Sequence, residues 1–172
     1  TALIGGHNAK LTFGNPLSTT ENLLTIDGNR ENMTAEVSGT VLFISESAEV
    51  NLYHNVSICN NLKMTNNRFM DPRYDSTHGI RAGGAMAMVS SGVLNIYGGN
   101  YWNNKINSEN TTTNPDGYST YGGAIYSRST VYVYDGNFYQ NEGARGGVIY
   151  NYGMTAQQVK ASYDYDYGPI LH

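Results

Sequence analysis

Apolar and polar positions alternate with period two in three short runs. Val50-Asn51-Leu52-Tyr53, Leu94-Asn95-Ile96-Tyr97 and Val131-Tyr132-Val133-Tyr134 each put two aliphatic residues on one side and Asn or Tyr on the other. That pattern predicts half-buried strands. A box with one fixed spacing follows each run: Ile58-Cys59-Asn60-Asn61, Tyr101-Trp102-Asn103-Asn104 and Phe138-Tyr139-Gln140-Asn141. A glycine motif also recurs, as Gly83-Gly84-Ala85-Met86, Gly122-Gly123-Ala124-Ile125 and Gly146-Gly147-Val148-Ile149. Ser38-Gly39-Thr40-Val41 reads as a degenerate copy leading into Leu42-Phe43-Ile44-Ser45, and Leu24-Thr25-Ile26-Asp27-Gly28-Asn29 as the first half of an earlier turn.

The repeats are unequal because the segments between box and glycine motif differ. They run over 62–82, 105–121 and 142–145. Without them a unit of roughly two dozen residues remains, and insertions that always fall at one place mark one face of a repeat architecture. The expected fold is all-β: a parallel β-helix of about five coils, with variable loops on one face. Strands of successive coils would pair about 4.8 Å apart, so equivalent residues form ladders. Val50, Leu94 and Val131 would stack inward, as would Leu52, Ile96 and Val133. Val41, Met86, Ile125 and Ile149 would form another inward column, and Ile58, Tyr101 and Phe138 would fill a corner. Asn61, Asn104 and Asn141 would stack as an amide ladder at a turn. Gly83, Gly84, Gly122, Gly123, Gly146 and Gly147 would permit the corner into the next strand.

One domain is expected over 1–172, with repeat coils at 38–152. Residues 1–37 read as an N-terminal cap or irregular coils, since 1–22 carry no box. Residues 153–172 read as a C-terminal cap or a junction. Within them, 154–161 suits a short helix, and Tyr163-Asp164-Tyr165-Asp166-Tyr167 alternates strictly.

Composition narrows the partners. Charged residues are 14% of the chain, the net charge is -4 and no run of Lys and Arg exists, so nucleic acid is not an expected partner. Gly (20), Asn (21) and Tyr (15) dominate, which suits turns and strands. No stretch of 18 apolar residues would span a membrane. The chain starts at Thr1 and reads as a mature product or a piece of something longer. A lone cysteine, Cys59, allows no intrachain disulfide and reads as a small buried hydrophobe. Sequons stand at Asn32, Asn55 and Asn110, as expected by chance in a chain so rich in Asn, Ser and Thr.

The alternation of a Gly-Gly-Ala-aliphatic motif with an aromatic-x-x-Asn box resembles the repeats of chlamydial polymorphic outer-membrane proteins and of adhesin-like surface proteins. The matching positions are Gly83–Met86, Gly122–Ile125, Gly146–Ile149, Tyr101–Asn104 and Phe138–Asn141. The resemblance implies a right-handed parallel β-helix on an extracellular cell surface, often adhesive, with a host or cell-surface protein or glycan as partner. The C-terminal membrane barrel of the chlamydial proteins has no counterpart in this sequence.

Candidate chemistry is sparse. Residues 71–81 gather Asp71, Arg73, Asp75, His78 and Arg81, the residue types a polysaccharide lyase or hydrolase uses. No second carboxylate cluster joins them, and long polar loops are usually solvated. Asp164 and Asp166 are too few for a Ca²⁺ site, and His7, His54, His78 and His172 lack zinc-ligand spacing. No catalytic residue, metal site or cofactor is expected. The outward aromatics are the better candidates. Tyr53, Tyr97 and Tyr134 would form one ladder, and Tyr126 and Tyr150 a shorter one. Such a row suits a sugar ring or a protein partner, although ladders also stabilise sheets unaided. Tyr74, Trp102 and Tyr118, on or near the long loops, are the other candidate contacts.

Overall fold

The computed structural model describes residues 2–33, 39–64, 84–107, 121–143, 146–151, 156–158 and 162–163. Among them the chain is all-β apart from a 3-10 turn, Arg30–Asn32. The strands are laid down in five passes. The first gives β1 (Ala2–Ile4), β2 (Lys10–Phe13) and β3 (Leu24–Asp27). The second gives β4 (Leu42–Ile44), β5 (Glu49–Leu52), β6 (Val56–Cys59) and β7 (Leu62–Met64). The third gives β8 (Ala87–Val89), β9 (Val93–Trp102) and β10 (Lys105–Asn107), and the fourth β11 (Ile125–Ser127) and β12 (Thr130–Tyr139). The fifth gives β13 (Ile149–Asn151), β14 (Ala156–Gln158) and β15 (Ser162–Tyr163).

All strand pairings among the described residues are parallel, and each joins one pass to a later one. One sheet runs β1-β4-β8-β11-β13. A second runs β2-β5-β9-β12-β14, with β3, β6 and β15 paired along its other half. A third holds β7 and β10, prolonged by a bridge from Lys105 to Glu142. Parallel neighbours cannot be joined by a tight hairpin, so each pass visits the sheets in turn before returning.

The core is a set of residue columns. Leu11, Val50, Leu94 and Val131 pair in register, as do Phe13, Leu52, Ile96 and Val133. Ile26, Ile58, Tyr101 and Phe138 form a third column. All are buried except Leu11, Phe13 and Ile26, which lie in the first pass and are half-buried. Tyr101 stacks on Phe138 with ring centroids 4.9 Å apart, and its hydroxyl donates to the Gly98 carbonyl at 2.7 Å.

Around the glycine motif the register differs from the spelling. Letters align Gly83 with Gly122 and stack Val41, Met86, Ile125 and Ile149. Backbone pairing instead sets Leu42, Ala87, Ile125 and Ile149 in one column. Met86 falls one position ahead, its N–H bonded to the Ala124 carbonyl at 3.0 Å. The counterpart of Gly122 and Gly146 is therefore Gly84. At all three a Cβ would collide with the carbonyl oxygen three residues on. The tight turn fixes the register, and Ala87 and Ile125 are both buried in that column. Gly83 lies outside the described residues.

Other departures lie at the ends and in the loops. Residues 2–27 already supply strands in register with the second pass. Leu24–Asp27 pairs with Val56–Cys59, so it is the counterpart of the box strand and not of the strand before it. Residues 156–158, expected in a helix, form β14 on the edge of β12. A helix of two turns without caps is marginal, while that edge offers an unbroken row of amides and carbonyls. The segments 62–82 and 105–121, expected as loops, each begin as a strand, β7 and β10.

Between the two halves of the second sheet the chain bends. The second pass breaks there, between β5 and β6, while β9 and β12 run through on glycines at φ 152° (Gly98), 104° (Gly99) and 145° (Gly136). A Cβ on Gly99 would stand 2.5 Å from the Val56 carbonyl.

After the box the chain turns again, through left-handed Asn60, Asn103 and Gln140 at φ 55°, 53° and 55°. The next residues, Asn61, Asn104 and Asn141, are buried. Asn61 Nδ2 donates to Asn104 Oδ1 at 2.7 Å, and Asn104 Nδ2 to Asn141 Oδ1 at 2.9 Å. The same amides reach backbone carbonyls of Cys59, Ile58 and Tyr101 at 3.0, 3.2 and 2.9 Å.

Three substitutions test this packing. Asn104→Ala removes three buried hydrogen bonds and leaves Asn61 Nδ2 and Asn141 Oδ1 with backbone partners alone, so urea unfolding should show a loss of about 3 kcal/mol. Asn103→Gly keeps the left-handed turn, and the half-exposed Asn60 amide and Arg30 guanidinium that it releases can turn to water, so it should cost about 1 kcal/mol. Equal losses would refute the ladder's role. Thr40 is buried and its hydroxyl has no hydrogen-bond partner. Thr40→Val should therefore be stabilising, by about 1 kcal/mol.

Candidate functional site

Alternation sends every second side chain of a strand outward. On the first half of the second sheet this gives Tyr53, Tyr97 and Tyr134. Their rings stack at centroid separations of 5.0 and 4.9 Å and interplanar angles of 16° and 2°. Tyr132 packs on Tyr134 at 6.0 Å and 24°. The row survives a register slip of one residue, in which Tyr97 pairs with Asp135 on the backbone. Near-parallel rings this close are stacked, so Tyr97 has a neighbouring ring on each side along the row. What the row presents outward is ring edges and hydroxyls. Tyr97 is 38% exposed, and Tyr53 and Tyr134 are half-buried. Burial, together with the flanking Tyr134 and Tyr53, holds the Tyr97 phenol above its ordinary pKa.

Polar residues flank the row. Asn51 and Asn95, outward by alternation, are nonetheless buried. Asn95 Nδ2 donates to Asn51 Oδ1 at 2.9 Å, and Asn51 Nδ2 to Glu49 Oε1 at 3.0 Å. Lys10 Nζ lies 2.8 Å from the same Glu49 oxygen. That hydrogen bond raises the Lys10 ammonium pKa, and with the Asn51 bond it lowers the Glu49 carboxyl.

A second outward column holds Asp27, Cys59, Trp102 and Tyr139. Trp102 and Tyr139 stack at 5.6 Å and 2°, and Tyr139 is 37% exposed. Beside them runs an amide row, with Asn103 Nδ2 donating to Asn60 Oδ1 at 2.7 Å and Asn60 Nδ2 to Asp27 Oδ2 at 3.1 Å. Arg30 reaches from the first pass past the second, its Nη1 donating to Asn103 Oδ1 at 2.7 Å. The sequence gives no signal for this strap, because its two ends lie in unrelated motifs.

The structure brings Tyr53, Tyr97 and Tyr134 together and sets Trp102 on the neighbouring half of the sheet. Tyr126 was expected outward. It stacks with Tyr150 at 5.9 Å, but it is buried, and Tyr121 also packs on Tyr150. Tyr74, Tyr118, Asp71, Arg73, Asp75, His78, Arg81, Asp164 and Asp166 lie outside the described residues. Among the described residues no three His, Cys, Asp or Glu side chains gather as a metal site, and no helix is long and apolar enough to cross a membrane. The sequon residue Asn55 is buried and exchanges hydrogen bonds with the Asn15 backbone at 2.9 and 3.0 Å. Its amide is closed to modification in the folded chain.

The third sheet sets where the insertions leave. Leu62, Lys63 and Met64 pair with Lys105, Ile106 and Asn107, so residues 65–83 and 108–120 follow from adjacent strands. At the same place in the fourth pass Glu142 pairs with Lys105, their side chains 2.6 Å apart.

Comparison with protein-family models, with curated proteins and with solved structures gives no match.

Cys59 offers a direct check on this surface. It is buried, and burial together with the Asp27 carboxylate pushes its thiol up to about 11. At pH 8 the thiolate fraction should be about 100-fold below that of a free thiol. A disulfide-exchange reagent should label Cys59 only after unfolding. Rapid labelling of the native chain would contradict the packing of this column.

Proposed function

We propose that the chain is a right-handed parallel β-helix of about five coils, serving as a non-enzymatic module of an extracellular or cell-surface protein. It is an adhesin or stalk segment of a longer chain that displays its insertions to a host or cell-surface protein or glycan. The observation that carries this reading is the pairing of β7 with β10. Two insertions of different length and sequence start from neighbouring strands of one sheet, side by side on a regular body. Variable sequence on a rigid scaffold is the usual arrangement of a binding surface. The alternation of glycine motif and asparagine box, with its likeness to surface-protein repeats, supports the same reading.

The stacked tyrosines are a secondary surface. With ring faces covered by one another, they suit hydrogen bonding at hydroxyls better than stacking of a sugar ring. The carbohydrate-cleaving alternative rests on Asp71, Arg73, Asp75 and Arg81, outside the described residues.

The test is a screen of the purified chain against glycans and cell surfaces. It runs beside variants whose 65–83 or 108–120 segment is cut to the length of the 143–145 connection. Binding lost on shortening, with thermal unfolding unchanged, is the expected result. Binding that survives both cuts and fails in Tyr97→Ala would move recognition to the tyrosine row. Shortening of a glycan during the screen would overturn the non-enzymatic reading.

A further inference from the structure

The tyrosine row carries a chemistry that does not depend on any ligand. Two phenols couple oxidatively when their rings are in contact and an oxidant can reach them. Rings with centroids 5.0 and 4.9 Å apart at 16° and 2° are stacked neighbours with nothing between them. Tyr97 touches both partners and is the most exposed of the three. The partners stand on the preceding and following passes, so a bond here joins successive repeats.

The other described aromatic pairs combine these conditions less fully. Tyr121 and Tyr150 come nearest, at 4.6 Å, but their rings are tilted at 44° and both are less exposed than Tyr97. Tyr101 is buried and faces Phe138, and Tyr139 faces Trp102, so neither has a phenol against it. Tyr126 faces Tyr150 but is enclosed. Tyr132 and Tyr134 share one strand and lie farther apart, at 6.0 Å.

We infer that Tyr97 is an oxidative cross-linking site, coupling to Tyr134 or Tyr53 as a dityrosine that ties neighbouring repeats together. The oxidant is hydrogen peroxide acting through a haem peroxidase. Each phenol gives up one electron and one proton, leaving a phenoxyl radical. The two radicals form one carbon–carbon bond between ring positions ortho to the oxygens. Each ring then moves its displaced ring proton to oxygen, which restores both phenols. The protein loses two hydrogen atoms, that is two protons and two electrons, and one peroxide takes them up to become two waters. The stacked geometry holds the partners in place for the first bond between facing ring carbons, and the rings then swing edge to edge about that bond as they regain aromaticity.

The bond would act as a disulfide does, closing a loop of about 40 residues in the unfolded chain and raising Tm by roughly 10 °C. It would strengthen a surface module where peroxide is present, in a chain that has a single cysteine and so no internal disulfide.

The test treats the purified full chain with a haem peroxidase and hydrogen peroxide at low protein concentration. Trypsin cuts after Lys63, Arg81, Lys105, Arg128 and Arg145, which puts Tyr53, Tyr97 and Tyr134 on three different peptides. The expected product is a monomer with dityrosine fluorescence. Its cross-linked peptide, lighter by two hydrogens, joins Tyr97 to Tyr134 or Tyr53, and its unfolding midpoint is raised. Tyr97→Phe keeps the ring stack and should lose this peptide, while Tyr139→Phe should keep it. Dityrosine found only between molecules, or mapping to other tyrosines, would overturn the inference. So would an unchanged yield in Tyr97→Phe.

Discussion

A buried turn must satisfy its own backbone, and the rest of this structure depends on how it does so. After each box the chain reverses through a left-handed residue and then buries a side-chain amide. Asn61, Asn104 and Asn141 hydrogen-bond to one another and to carbonyls of their own or a neighbouring pass. An amide has donors and an acceptor on one short arm, so it can serve a neighbour above and a carbonyl beside it. A buried group left without such partners costs about 1–3 kcal/mol. The second, third and fourth passes are thus pinned to one another at one height. The aliphatic columns, the Tyr101–Phe138 stack and the outward tyrosine row inherit their register from that constraint.

The sequence made this corner legible because its chemistry has few solutions. An asparagine three residues after an apolar or aromatic residue recurs three times, whatever the length of the insertions. The inward aliphatic columns were legible for a related reason, since strict alternation leaves one face to bury. Less legible was the register at the glycine motif. Gly83-Gly84 and Gly122-Gly123 look equivalent, but the turn uses the second glycine of one pair and the first of the other. One extra residue in the preceding insertion shifts the spelling without shifting the hydrogen bonds. Residues 156–158 were misleading for the opposite reason. Their local preference is weakly helical, and a waiting strand edge overrides it.

Of the candidate site, the tyrosine row was legible as positions but not as a surface. Alternation says that Tyr53, Tyr97 and Tyr134 face outward. It does not say that the rings lie on one another, which follows from the short distance between parallel strands. Nor does it say that Tyr126, also outward by period, is enclosed. Asn51 and Asn95 show the same limit, since both are outward by alternation and buried in fact. Sequence period reports direction, whereas burial depends on what else packs over the sheet.

These facts also locate where the molecule has chemistry to spare. Within the body, much of the polar and aromatic character on the outer face is already spent on the equivalent residue one pass away. Amide meets amide at Asn60 and Asn103, and ring meets ring along the tyrosines. Surfaces satisfied in this way are stable and have little left for a partner. Free valence arises where the repeat is broken. Cys59 interrupts the aromatic column that Trp102 and Tyr139 continue, and Arg30 reaches past that break to Asn103. The register slips at Tyr134 and leaves a ring row out of step with its backbone. The largest breaks are the insertions after Met64 and Asn107, which leave from adjacent strands of one sheet. A repeat that satisfies itself gives rigidity. On the function proposed above, the insertions are the displayed surface and the tyrosine row is a feature of the body itself.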